Sequence, residues 1–153
     1  MTVATTKRLG VLDMKGGAQY LSPEGLHKNP AFSQVVIAHG SLTTLYVGGQ
    51  NAVDSTGNIV GKGDLKRQTE QALQNLSIAL AAGGATFEHV VKWNVHIVQG
   101  QSPQVGFEAF QRVWGTRPNP PAITGLIVAA LGHPDFLVEV DAIAAVPQDT
   151  ARI

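Results

Sequence analysis

At 153 residues the chain has the length of one ordinary domain, enough to bury a hydrophobic core without disulfides or a metal. Eleven Lys and Arg balance eleven Asp and Glu, so the basic footprint that holds a phosphate backbone is missing and nucleic acid is not an expected partner. The absence of cysteine excludes a disulfide scaffold and thiol chemistry; the opening MTVATTKRLGVLDMKGG lacks the apolar core of a signal peptide, and no run reaches the length of a membrane span. The expectation is a soluble, cytoplasmic protein that folds as a single domain over residues 1–153 and has no membrane partner.

In chain order, Lys7 to Leu12 is a candidate first strand, in a glycine-rich lead that reads as an N-terminal extension or first strand over residues 1–20. Leu21 to Pro30 is turn-rich. Ser33 to Ala38 forms a strand ending at His39-Gly40, and Thr43 to Val47 follows closely enough to pair with it as a hairpin. Gly48-Gly49-Gln50 then marks either a bulge or a place where backbone or ligand approaches closely. Asp54 to Asn58 is a turn.

Asp64 to Ala82 is the clearest helix, because Leu65, Thr69, Ala72, Leu73, Leu76, Ala79 and Leu80 recur at helical spacing, with Asp64 as N-cap and Gly83-Gly84 as the stop. Val90 to Val98 alternates as a strand, with Val91, Trp93, Val95 and Ile97 on one face and Lys92, Asn94 and His96 on the other. Pro103 opens a second amphipathic helix carrying Phe107, Phe110, Val113 and Trp114, which ends near Gly115. Two apolar runs, Ala122 to Leu131 and Phe136 to Val146, flank the break Gly132-His133-Pro134-Asp135 and read as two strands of one sheet.

This order predicts an α+β domain with one mixed sheet and two helices on one face. Two helices cannot cover both faces of a sheet. The nearly continuous apolar run from Ala122 therefore implies cover by other copies of the chain, a homo-oligomer.

Glu139 and Asp141 lie two residues apart on one face, roughly 7 Å apart along it, and serve either as solubilising residues or, in a cleft, as an acid–base pair. The histidines His27, His39, His89, His96 and His133 show no metal-ligand spacing, so no metal is expected. His133 is a turn residue placed where it can also line a pocket. Gly61-Lys62-Gly63-Asp64 lacks the features of a phosphate loop, and Ser33 and Ser41 lack the setting of a hydrolase nucleophile.

Several segments together resemble the Rid/YjgF family, the reactive-intermediate deaminases also grouped as L-PSP endoribonucleases. They are Phe32-Ser-Gln34, Tyr46-Val-Gly-Gly-Gln50, Asp54-Ser-Thr-Gly57, Gln68-Thr69 with Gln74-Asn75-Leu76, Gly84-Ala85 with Val90-Val91-Lys92, Pro121-Ala122, and Val138 to Ala144, in family order. The resemblance implies a chorismate-mutase-like fold, a homotrimer with small-molecule clefts between subunits, and cofactor-free hydrolysis of reactive imines and enamines. It implies Glu139 as the catalytic acid or base, and the substrate-binding residues expected with it are Phe32, Ser33, Gln101, Ile123, Thr124, Gly125 and His133. It also exposes a divergence: Ile123 stands where family members clamp the substrate carboxylate with arginine. Losing that charge-assisted contact costs a few kcal/mol, about two orders of magnitude in affinity. Arg117 and Lys92 are the candidate substitutes. The expected ligand is therefore small and neutral or weakly polar, bound by an imine-type hydrolase of altered range. The alternative is a non-catalytic ligand-sensing or protein-interaction trimer; an endoribonuclease ranks third.

Overall fold

The computed structural model describes residues 15–148; the candidate strand Lys7 to Leu12 lies outside them. In order come β1 (Gly17–Leu21), β2 (Val35–His39), β3 (Leu42–Gln50), α1 (Leu65–Ala82), a 3₁₀ turn (Phe87–His89), β4 (Val90–Val98), α2 (Pro103–Trp114), β5 (Ala122–Val128) and β6 (Val138–Pro147). The main sheet has the order β3-β6-β4-β5, with β4 and β5 parallel and the other neighbours antiparallel. Parallel neighbours need a crossover, and α2 supplies it. Because β3 and β4 both run antiparallel to β6, α1 is likewise a crossover between strands of one direction.

Both helices pack on the same face of this sheet, as the element order predicts. Leu65, Leu73, Leu76 and Leu80 of α1 meet Val138, Val140, Ala142 and Ala144 of β6, while Phe110 and Trp114 of α2 close over Trp93 and Ile97. Trp93 is fully buried, stacked on Phe87 at 5.6 Å and met edge-on by Phe110 at 4.7 Å. Asp64 caps α1 by accepting the Arg67 N–H at 3.1 Å. At the other end Gly83 leaves room for Leu45, whose side chain any Cβ at this position would overlap.

Three sequence expectations change. The hairpin between the strands at 33–38 and 43–47 does not form: β2 pairs with β1, and β3 pairs with β6. Gly40, at φ 74°, turns the chain between the two sheets, and its bare Cα lets the Lys15 backbone pass close by. A bulge in β4 moves the register from Val90↔Ala144 to Lys92↔Ile143, so Val90 rather than Val91 joins Trp93 in the core. The strand begun at Ala122 stops at Val128, and although β5 and β6 share a sheet, β4 separates them.

Gln68 is fully buried under the loops. Its amide nitrogen donates to the carbonyls of Gly61 (3.3 Å) and Asp135 (2.8 Å), and its oxygen accepts the Leu137 N–H (2.9 Å). One side chain thus pins the approaches to α1 and β6 together. In the turn after β3, the Asp54 carboxylate accepts the N–H groups of Asn58 and Thr56, each at 2.9 Å, and the Thr56 hydroxyl at 2.8 Å. These bonds to the charged form, the Asn58 N–H foremost, hold its pKa below the ordinary 3.8. A depressed folded pKa contributes stability that is complete above the unfolded value and drains away as pH falls through the folded one. Asp54→Asn is therefore expected to flatten the acid limb of the stability curve below about pH 4, measured by urea titration at stepped pH. An unchanged limb would overturn this assignment.

Candidate functional site

Strand alternation puts Val138, Val140, Ala142 and Ala144 against the helices and leaves Glu139, Asp141 and Ile143 on the open face. Glu139 lies across the bare backbone of Gly49, where a Cβ would come within 2.7 Å of its carboxyl carbon. The β3 register shifts between Val47 and Gln50, so the glycine pair is both a bulge and a close approach. Asn51 donates its amide to Glu139 Oε2 at 3.3 Å, and Asn75 of α1 fixes the Asn51 and Val53 carbonyls at 2.9 and 2.7 Å. The carboxylate is thus positioned through sheet and helix together. Asp141 accepts from Asn94 Nδ2 at 2.7 Å, a satisfied cross-strand pair, and Lys92 donates to the Thr124 hydroxyl on the same face. His96 sits opposite Glu139 in the β4–β6 register.

On the helix side of the sheet lies a cavity of about 280 Å³, lined by Ala31, Phe32, Val95, Ile97, Pro103, Gly106, Phe107, Phe110, Ile123 and Gly125. Every lining residue is apolar or glycine. Register explains the placement: Ile123 pairs with Trp93 and Gly125 with Val95, both on the helix-facing side, whereas Thr124 pairs with Asn94 on the open side. Ser33 holds Phe32 in place, because its hydroxyl donates to the Pro120 carbonyl at 2.6 Å and its N–H to the Pro121 carbonyl at 3.0 Å.

The structure therefore sorts the residues singled out in the sequence into separate places. Phe32, Ile123 and Gly125 share the cavity. Glu139 and Thr124 belong to the opposite face. Gln101 lies in the turn after β4, where its N–H donates to the Val98 carbonyl at 3.4 Å. His133 accepts the Asp135 N–H at 3.1 Å and packs on Phe136, beside the 2.9 Å ion pair of Lys62 with Asp135. That lysine holds the Asp135 carboxyl below its usual range. Neither candidate cation reaches the cavity lining: Arg117 donates to the Val113 and Trp114 carbonyls, both at 2.7 Å, and lies over Phe87, while Lys92 faces the open side. Sequence reasoning passed over Asn51 and assigned Phe107 and Phe110 only to the core. The asparagine's position directly after Gly-Gly-Gln was the available signal.

A mixed sheet with both crossover helices on one face, an apolar cavity on that side and a held carboxylate on the other defines an α+β protein of the YjgF/L-PSP fold. The chain belongs to the endoribonuclease L-PSP family, which it matches over residues 26–146. It is 33% identical over 120 residues to a RutC family protein of Synechocystis, covering 76% of this chain and 86% of that one. A RutC family protein of Pyrococcus horikoshii is 35% identical over 101 residues, covering 65% and 77% respectively. Among solved structures, a conserved Rid-family protein of Yersinia pestis superposes with a TM-score of 0.74 at 29% identity, over 84% of this chain and 98% of that one. RidA of an Antarctic Psychrobacter does so with a TM-score of 0.60 at 30% identity, over 67% and 80%. Among the described residues no helix is long and apolar enough to cross a membrane.

Proposed function

We propose that the chain assembles as a homotrimer and binds a small neutral or weakly polar metabolite between subunits, where it hydrolyses an imine- or enamine-type bond. The observation that carries this reading is the split of the site. Ile123, Gly125 and Phe32 face the helix side, while Glu139 faces the open side, so one chain cannot bring both halves to the same ligand. A neighbouring copy that covers the open face supplies the missing half. Tyr46 at 80% exposed and Leu126 at 49% are the apolar groups such a neighbour would bury.

In the reaction, Glu139 accepts a proton from water as the oxygen attacks the imine carbon and the C=N π pair moves to nitrogen. The resulting carbinolamine collapses to a carbonyl and ammonia, with the proton carried to the leaving nitrogen. Atoms balance as imine plus water giving carbonyl plus ammonia. With Ile123 in the clamp position and no cation among the described residues of the cavity lining, a carboxylate-bearing imine lacks its anchor. An RNA substrate is disfavoured, since eleven basic residues against eleven acidic ones offer no phosphate track.

The test is ammonia release from a neutral ketimine beside freshly generated 2-iminopropanoate. The neutral imine should turn over faster, Glu139→Gln should abolish the gain over buffer, and light scattering should give a trimer. Efficient turnover of 2-iminopropanoate or a monodisperse monomer would overturn the reading. Unchanged turnover in the Glu139→Gln protein would remove Glu139 from the reaction, and no turnover above buffer by the unmodified protein, with ligand-dependent rises in Tm retained, would reduce the reading to a ligand-sensing trimer.

A further inference from the structure

Gly125 sits inside the regular β4–β5 ladder, with Val95 beside it and no break in register. Its φ is not in the left-handed region, and a Cβ built on it meets nothing within 4 Å. Neither conformation nor close packing therefore requires glycine, although glycine inside a strand weakens it. Gly106, on the facing helix, is different. Its Cβ would lie 3.2 Å from Ile97 Cδ1, so it serves the approach of α2 to β4. What the missing side chain at Gly125 does create is space in the cavity floor.

That space is walled by carbon. Phe32, Phe107 and Phe110 stand over Ile123, Val95 and Gly125. A dry apolar cavity of about 150 Å³ accepts a benzene ring, so 280 Å³ has room for about ten heavy atoms. Rings favour offset or edge-on contacts with other rings, which three phenylalanines around one space can offer. A carboxylate or ammonium there would lose its hydration without gaining a partner.

We infer that the cavity is a subsite for an uncharged aromatic ring and that Gly125 sets the size it admits. The inference rests on the reading of the cleft given above and names the class of its ligand: a metabolite whose reactive end meets Glu139 of a neighbouring copy while its ring lies on Gly125.

The experiment is a thermal-shift and calorimetric titration of the full chain with phenol, indole and benzoate, on the unmodified protein and on Gly125→Ala and Gly125→Val. Phenol and indole should raise Tm saturably, and benzoate should not. Gly125→Ala should weaken indole more than phenol, and Gly125→Val should weaken both at least tenfold with an unliganded Tm no lower than that of the unmodified protein. If Gly125→Val fails to fold, the Ala variant and the phenol–benzoate contrast still decide. No shift with either neutral ring, equal shifts with benzoate, or equal affinity in the Val variant would overturn the inference. Running the imine assay on the same preparations separates the two failures. Turnover of the neutral imine without ring binding sinks the ring subsite alone, whereas efficient turnover of 2-iminopropanoate sinks the reading of the cleft itself.

Discussion

Ile123→Arg is expected to accelerate ammonia release from 2-iminopropanoate by about two orders of magnitude in kcat/KM, the factor that a bidentate guanidinium–carboxylate contact provides. Room for the longer side chain exists, because Ile123 borders the cavity and its neighbour Gly125 has open space before it. The variant should also lose affinity for phenol and indole, since a guanidinium brings charge and ordered water to an apolar wall. Its stability should fall modestly, because Ile123 is only partly buried against the core. A variant that folds and assembles as the unmodified protein does, yet gains nothing on 2-iminopropanoate, would show that more than the clamp has diverged. Rescue by Arg together with loss of the ring probes would tie specificity to this one position.

Gln68→Leu should be among the costliest changes to stability. The replacement roughly preserves volume but leaves the Asp135 carbonyl and the Leu137 N–H without their partner, while the Gly61 carbonyl keeps the Asp64 N–H at 2.9 Å. An orphaned buried polar group costs about 1–3 kcal/mol, so with two such groups a loss of about 2 kcal/mol or more is expected. The midpoint of urea unfolding should drop with the slope unchanged. A loss below about 1 kcal/mol would mean that the loop carbonyls rehydrate freely. The consequence for the site is direct, because the Leu137 N–H lies two residues before Glu139 and fixes where β6 begins.

The helices were legible because burial at 3.6-residue spacing leaves its print on the sequence: Leu65, Leu73, Leu76 and Leu80 fall where the pattern places them. Asp64 and the glycine stop mark the ends of α1 for local reasons, and local reasons are what a sequence displays best. Pairing was less legible. The ladder partner of β3 is β6, almost a hundred positions on, so nearness in sequence pointed to the wrong neighbour. The period of two that sorts strand faces cannot register one extra residue, and the bulge at Val91 therefore exchanged it with Val90. The site shows the same limit. Strand spacing singled out Glu139 and the resemblance singled out Ile123, but their positions on opposite faces depend on the register of Trp93 with Ile123 and of His96 with Glu139. Those registers are long-range facts. The cavity itself depends on Phe32, Phe107 and Gly125 meeting from three distant segments, which no single stretch announces.

The outermost position of β5 has a consequence for how the chain must be handled as it folds. The other border of the sheet, β3, is interrupted by the register shift at its glycine pair, which blunts it as a template. β5 has no such defence: Ala-Ile-Thr-Gly-Leu-Ile-Val carries no charge, no proline and no bulge, and among the described residues no strand pairs with its outer side. Unpaired donors and acceptors on an uncharged, mostly apolar strand invite a foreign strand to dock. The chain is thus safest when that border is covered early. Conditions that hold it open, such as slow refolding at high concentration, trade soluble protein for edge-to-edge aggregates.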